Sequence, residues 1–160
     1  MLKCNTEIMK DLKKIHEEKV ETLSNEKRDS TISYILGEEK IASNYNYKET
    51  REKIDELNKK EIYLKGLLAK ANATVIVPEF NMTIGDCLVY LAQLTSKADT
   101  LYLLSIVKPK SRSYRLKEVE YTETCYDVSI VKEDYQKVKD EIVRLQMALD
   151  RINLTNMIDV

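Results

Sequence analysis

Two stretches of this chain place an apolar residue on alternating steps of four and three. In residues 131–152 the rhythm is unbroken: Val131, Tyr135, Val138, Ile142, Leu145, Leu149 and Ile152. In residues 50–71 it runs through Thr50, Ile54, Leu57, Glu61, Leu64, Leu68 and Ala71. Three heptads in register, with Lys and Glu between them, describe a helix that must bury one stripe against partner helices. Glu61 is the one charged residue in these two stripes. It reads either as a register-fixing polar residue or as a helix-edge glutamate, and the second is the expectation.

Two further segments have helical spacing. Residues 84–106 carry Ile84, Cys87, Leu88, Leu91, Leu94, Ala98, Leu101 and Tyr102, a wide apolar face that suggests the most buried helix of the set. Its start is marked by Thr83, whose hydroxyl can accept from the backbone N–H near Asp86, and by Asp86 in the positive first turn of the helix dipole. Pro109 closes the far end, because proline cannot extend the hydrogen-bond ladder. Residues 6–25, with Met9, Leu12, Ile15, Val20 and Leu23, form a weaker stripe, as expected of an outer, mostly solvated helix.

The 160 residues are enough for one domain with a real core. Charged residues make up 33%, while there are only 3 Gly and 2 Pro, a balance that favours long helices. Three glycines cannot build a Gly-rich phosphate cradle. One histidine and no Cys-x-x-Cys argue against a tetrahedral zinc site, and His16 lacks both a Glu three residues before it and a second histidine, as a di-metal bundle would need. The chain is therefore expected to hold neither metal nor cofactor. No apolar run approaches the 18 residues that signal a membrane-spanning helix, and the first residues lack the apolar core of a signal peptide. Cys4, Cys87 and Cys125 are odd in number and far apart, which fits reduced thiols in a cytosolic protein.

Residues 31–36 and 118–126 are rich in β-branched and aromatic side chains, as strands are. In an up-down-up-down bundle the first and third connections emerge at one end, so these segments are expected to pair there as a small antiparallel ribbon. The fold class this implies is all-α: four long antiparallel helices at about 6–25, 48–71, 84–106 and 130–153, in a single domain spanning 1–160, with that ribbon capping one end. The stripes at 50–71 and 131–152 close either a bundle within one chain or a coiled-coil hairpin between two.

Few residues suggest chemistry. Ser-x-x-Lys pairs at Ser24, Ser105 and Ser129 stand without the accompanying motifs of a serine acyl-enzyme. Cys87 falls in the apolar pattern of its helix, and neither it nor Cys125 has a sequence neighbour that would activate a thiolate. No catalytic residue is assigned. The most distinctive run is 108–117, where Lys108, Lys110, Arg112, Arg115 and Lys117 occur with Tyr114 and no acidic residue. Tyr34, Tyr45, Tyr47, Tyr121 and Tyr126 fall in the same connections. Cations interleaved with aromatic rings can neutralise phosphate and stack bases, so this run is a candidate binding patch for nucleic acid or phosphate, against the plainer reading of a solvated loop. A net charge of −1 confines any such role to the patch.

Residues 71–74 (Ala-Asn-Ala-Thr), 82–88 (Met-Thr-Ile-Gly-Asp-Cys-Leu), 126–128 (Tyr-Asp-Val) and 149–156 (Leu-Asp-Arg-Ile-Asn-Leu-Thr-Asn), in that order around a long helix and a basic stretch, resemble the small bacterial helical proteins called septicolysin, whose cellular role is undefined. The resemblance covers roughly residues 50–156. Members of that family often end in Asn followed by Trp; here Leu154 follows Asn153. The family's name implies membrane-active or cytolytic behaviour, and it brings no functional residue to this chain. The residues themselves lead to a different expectation: a non-enzymatic cytosolic protein with a structural or interaction role. Its partner would be a second copy of itself or another protein, recruited by the helix seam Ile54, Leu57, Leu64, Leu68, Val131, Tyr135, Val138, Ile142, Leu145, Leu149 and Ile152.

Overall fold

A computed structural model describes residues 1–115 and 118–160. The described residues are mostly helical, with four helices and three small antiparallel strand pairs among them. In chain order the elements are β1 (Leu2–Cys4), α1 (Asn5–Asp29), α2 (Tyr47–Thr74), β2 (Ile76–Val77), β3 (Met82–Thr83), α3 (Ile84–Ser105), β4 (Lys110–Arg115), β5 (Glu118–Glu123), α4 (Val128–Thr155) and β6 (Met157–Asp159). The chain divides into two compact units, Met1–Asn72 with Asn153–Val160, and Ala73–Ile152.

In the first unit, β1 and β6 pair antiparallel, Lys3 opposite Ile158. Helix α1 starts where the Cys4 backbone N–H donates to Glu7 Oε2 at 2.8 Å, and this bond holds the Glu7 carboxyl below its usual range. Asn46 opens α2 by accepting from the backbone N–H groups of Lys48 and Glu49. The contacts of α1 with α2 run in opposite senses along the two helices: Glu26 with Arg51, Lys53 with Glu18 at 3.0 Å, and Lys19 with Glu61 at 3.4 Å. The pair is therefore antiparallel. Ile54, Leu57 and Leu64 are buried and Leu68 is half-buried, so this seam is covered. Asn5, 1% exposed, donates to Asn153 Oδ1 and accepts from Asn156 Nδ2, which satisfies a polar side chain that burial would otherwise penalise.

In the second unit, α3 and α4 also run antiparallel, tied by Tyr90 to Glu141 and by a tilted ring contact of Tyr102 with Tyr135 at 5.9 Å between ring centres. Between them lies the main apolar cluster, in which Val77, Ile84, Cys87 and Leu94 meet Val138, Ile142, Leu145 and Leu149. Tyr135 and Ile152 pack at its margin, and Val131 is half-buried. The link from β2 to β3 turns through Asn81 at φ +50°, a left-handed conformation that asparagine tolerates. The expected cap of α3 forms: the Asp86 N–H donates to Thr83 Oγ1 at 3.0 Å. Asp127 begins α4 by accepting from the Ser129 N–H at 2.8 Å and from the Ser129 hydroxyl, which keeps its carboxyl below the usual range.

Three sequence expectations change. Residues 31–36 form no strand; they are exposed coil ending in a turn at Gly37, φ +98°. The partner of β5 is β4, two residues away in sequence, and closing so short a loop costs far less entropy than bringing in a segment some eighty residues distant. Glu61 is more than a helix-edge residue, since it accepts from Lys19 of α1 as well as from Lys65. Helix α3 is buried on one side only, because Leu88 and Tyr102 are exposed.

Candidate functional site

The basic run becomes one strand of a ribbon. Lys110 pairs opposite Glu123, Arg112 opposite Tyr121, and Tyr114 opposite Val119. Side chains alternate across a pleated ribbon, so these six residues share a face, and Ser111, Ser113, Glu120 and Thr122 lie on the other. On the first face the Lys110 ammonium forms an ion pair with Glu123 and sits 5.2 Å from the centre of the Tyr121 ring. Arg112 donates to the Tyr114 hydroxyl at 2.8 Å and lies over that ring. Tyr114, Val119 and Tyr121 are 73%, 41% and 57% exposed, an aromatic surface open to solvent. Arg115 contributes backbone pairing with Glu118. Lys117, the last residue of the expected patch, lies outside the described residues, and Lys108 is exposed ahead of the ribbon.

This geometry changes the charge reading. The run 108–117 contains no acid, but the strand laid against it, Glu-Val-Glu-Tyr-Thr-Glu, brings three carboxylates. Lys110 is already neutralised by one of them. A surface built to attract phosphate keeps its cations unpaired. Of the tyrosines grouped with this run, Tyr114, Tyr121 and Tyr126 belong to the second unit and Tyr34, Tyr45 and Tyr47 to the first. Tyr126 donates to the Leu104 carbonyl at 2.9 Å, and Tyr45 donates to Glu26 at 2.7 Å; both tie down local chain.

At the base of the ribbon an open groove of about 570 Å3 is lined by Val107, Lys108, Ser111, Thr122, Cys125 and Tyr126. Cys125 is exposed, whereas Cys4 and Cys87 are buried, and all three thiols are free. Burial, with the Asp86 charge beside it, pushes the Cys87 thiol above its usual range and makes it a poor nucleophile. His16 is exposed on α1. Among the described residues no three His, Cys, Asp or Glu side chains are grouped to hold a metal ion, and no helix is long and apolar enough to cross a membrane.

The second surface is one that the heptad pattern hides. The outward side of α3 carries Leu88, Val89, Ala92, Gln93, Ser96, Asp99, Thr100 and Leu103, with Asp86 and Lys97 exposed at its margin. Leu88, Val89 and Leu103 are 46%, 60% and 62% exposed. The inward side buries Cys87, Leu94 and Ala98. A surface helix normally turns charge toward solvent, so the exposed Leu88, Val89 and Leu103 are apolar surface that this helix leaves uncovered. The signal was present in sequence as an apolar face too wide for one stripe.

No family model matches the chain, and no curated protein sequence matches it. The fold does have a solved counterpart. A functionally unknown conserved protein from Corynebacterium diphtheriae superposes with a TM-score of 0.70 at 16% identity, over 99% of this chain and 100% of that one. The likeness establishes a shared fold along the whole length.

Proposed function

We propose that this chain is an interaction protein that self-associates, and that its role is structural rather than catalytic. The observation that carries this reading is the outward side of α3, where Leu88, Val89 and Leu103 are exposed along one stripe. Covering such a stripe with the same stripe of a second copy buries apolar area on both, at about 25 cal/mol per Å2, and a two-fold axis makes the contact self-complementary. Most of the heptad seam read from the sequence is buried or half-buried within the two helix pairs, so it is the outward side of α3 that we assign to the partner.

The test is a pair of substitutions on that stripe, Leu88→Glu and Leu103→Glu, followed by light scattering coupled to size exclusion. Both sites are exposed, so the helical content should be unchanged while the mass falls to fewer copies. An unchanged mass would remove α3 as the interface.

A further inference from the structure

The ribbon β4–β5 has two open edges, and its hydrogen-bond phase shows which backbone groups they offer. The Thr124 N–H donates to the Pro109 carbonyl at 2.9 Å, so the pair 109–124 points inward. In an antiparallel ladder inward and outward pairs alternate, so the N–H and C=O groups of 110, 112 and 114 on β4, and of 119, 121 and 123 on β5, point away from the ribbon. A two-stranded hairpin alone in water is marginal, and open edges are templates for another strand.

The two edges carry opposite charge. Strand β4 contributes Lys110, Arg112 and Arg115 and no acid; β5 contributes Glu118, Glu120 and Glu123 and no base. A two-fold pairing of β4 with β4, or of β5 with β5, sets like against like. Pairing β4 of one copy with β5 of the next sets cation against carboxylate. Because β4 and β5 run in opposite directions, copies whose ribbons point the same way meet antiparallel at every such junction. That contact joins two different edges, so it repeats from copy to copy until it closes.

We infer that the ribbons of three or more copies of this chain join β4 to β5 into one closed antiparallel array. The partner at this surface is a second copy of the same chain, and the inference rests on the self-association proposed above. Closure removes every open edge and gives Tyr114, Val119 and Tyr121 a shared face to pack on.

Val119→Pro tests this directly. Its N–H is one of the outward donors, so proline there deletes an edge bond while sparing the ladder within the ribbon. Light scattering on the full wild-type chain should give a mass of at least three copies. Val119→Pro should give fewer copies with the same far-UV circular dichroism. Arg112→Glu, which opposes no ion-paired residue across the ribbon, should weaken association by about two- to five-fold per junction. A wild-type mass of two copies, or an unchanged mass for Val119→Pro, overturns the closed array and leaves self-association standing. A single-chain wild type overturns both.

Discussion

The Tyr90 hydroxyl donates to Glu141 Oε1 at 2.6 Å, joining α3 to α4 beside the apolar cluster of the second unit. The bond to Glu141 is the main cause that raises the Tyr90 pKa above its ordinary value of 10, with desolvation second. A group whose folded pKa is raised adds stability that is complete below the unfolded pKa and is lost as pH climbs through the folded one. Tyr90→Phe should cost about 1 kcal/mol in urea unfolding at neutral pH. The gap between the two proteins should close as pH rises above 10.

Glu61 gives the opposite sign. Hydrogen bonds from Lys65 and then Lys19 lower its pKa below the ordinary 4.5. Its contribution is therefore present above the unfolded value and disappears as pH falls through the lowered one. Acid titration of thermal stability should show Glu61→Gln less stable than wild type at neutral pH, with the two melting temperatures converging below 4.5.

The inward and outward sides of the second unit should respond differently to truncation. Leu145 is 0% exposed and lies within the apolar cluster, so Leu145→Ala should cost about 2–5 kcal/mol. Leu103, 62% exposed, should lose less than about 0.5 kcal/mol on the same change when chains are diluted to single copies. Chemical denaturation of both variants measures the contrast.

The thiols should separate in a labelling time course. Cys125 is exposed and should react first with a disulfide reagent. Cys4 and Cys87 are buried, and Cys87 is further slowed by its raised pKa. Both should wait for unfolding. A native chain that yields three equally fast thiols would contradict the burial of α3 against α4.

The helices were legible from their apolar spacing, and at α3 a capping signal agreed with it. The stripe from Val131 to Ile152 fixed the inner side of α4, and Thr83 with Asp86 fixed the start of α3. The ribbon was half legible. Strand β5 alternates Val119 and Tyr121 with Glu and Thr, but β4 reads Lys-Ser-Arg-Ser-Tyr-Arg and has no apolar alternation. Its pairing comes from the neighbouring strand, and a local pattern cannot announce that. The same gap misplaced 31–36, where β-branched residues found no partner and remained coil. The outward side of α3 escapes a sequence reading because a wide apolar face implies burial all round, whereas Leu88 and Leu103 lie on the side that the core leaves uncovered.

The most direct measurement is sedimentation velocity of the wild-type chain across a concentration series. A chain of 18.6 kDa that covers α3 and its ribbon with copies of itself should sediment as a discrete assembly of several chains and dissociate only on dilution. A single species of 18.6 kDa at every concentration would contradict self-association and leave both surfaces without their proposed partner.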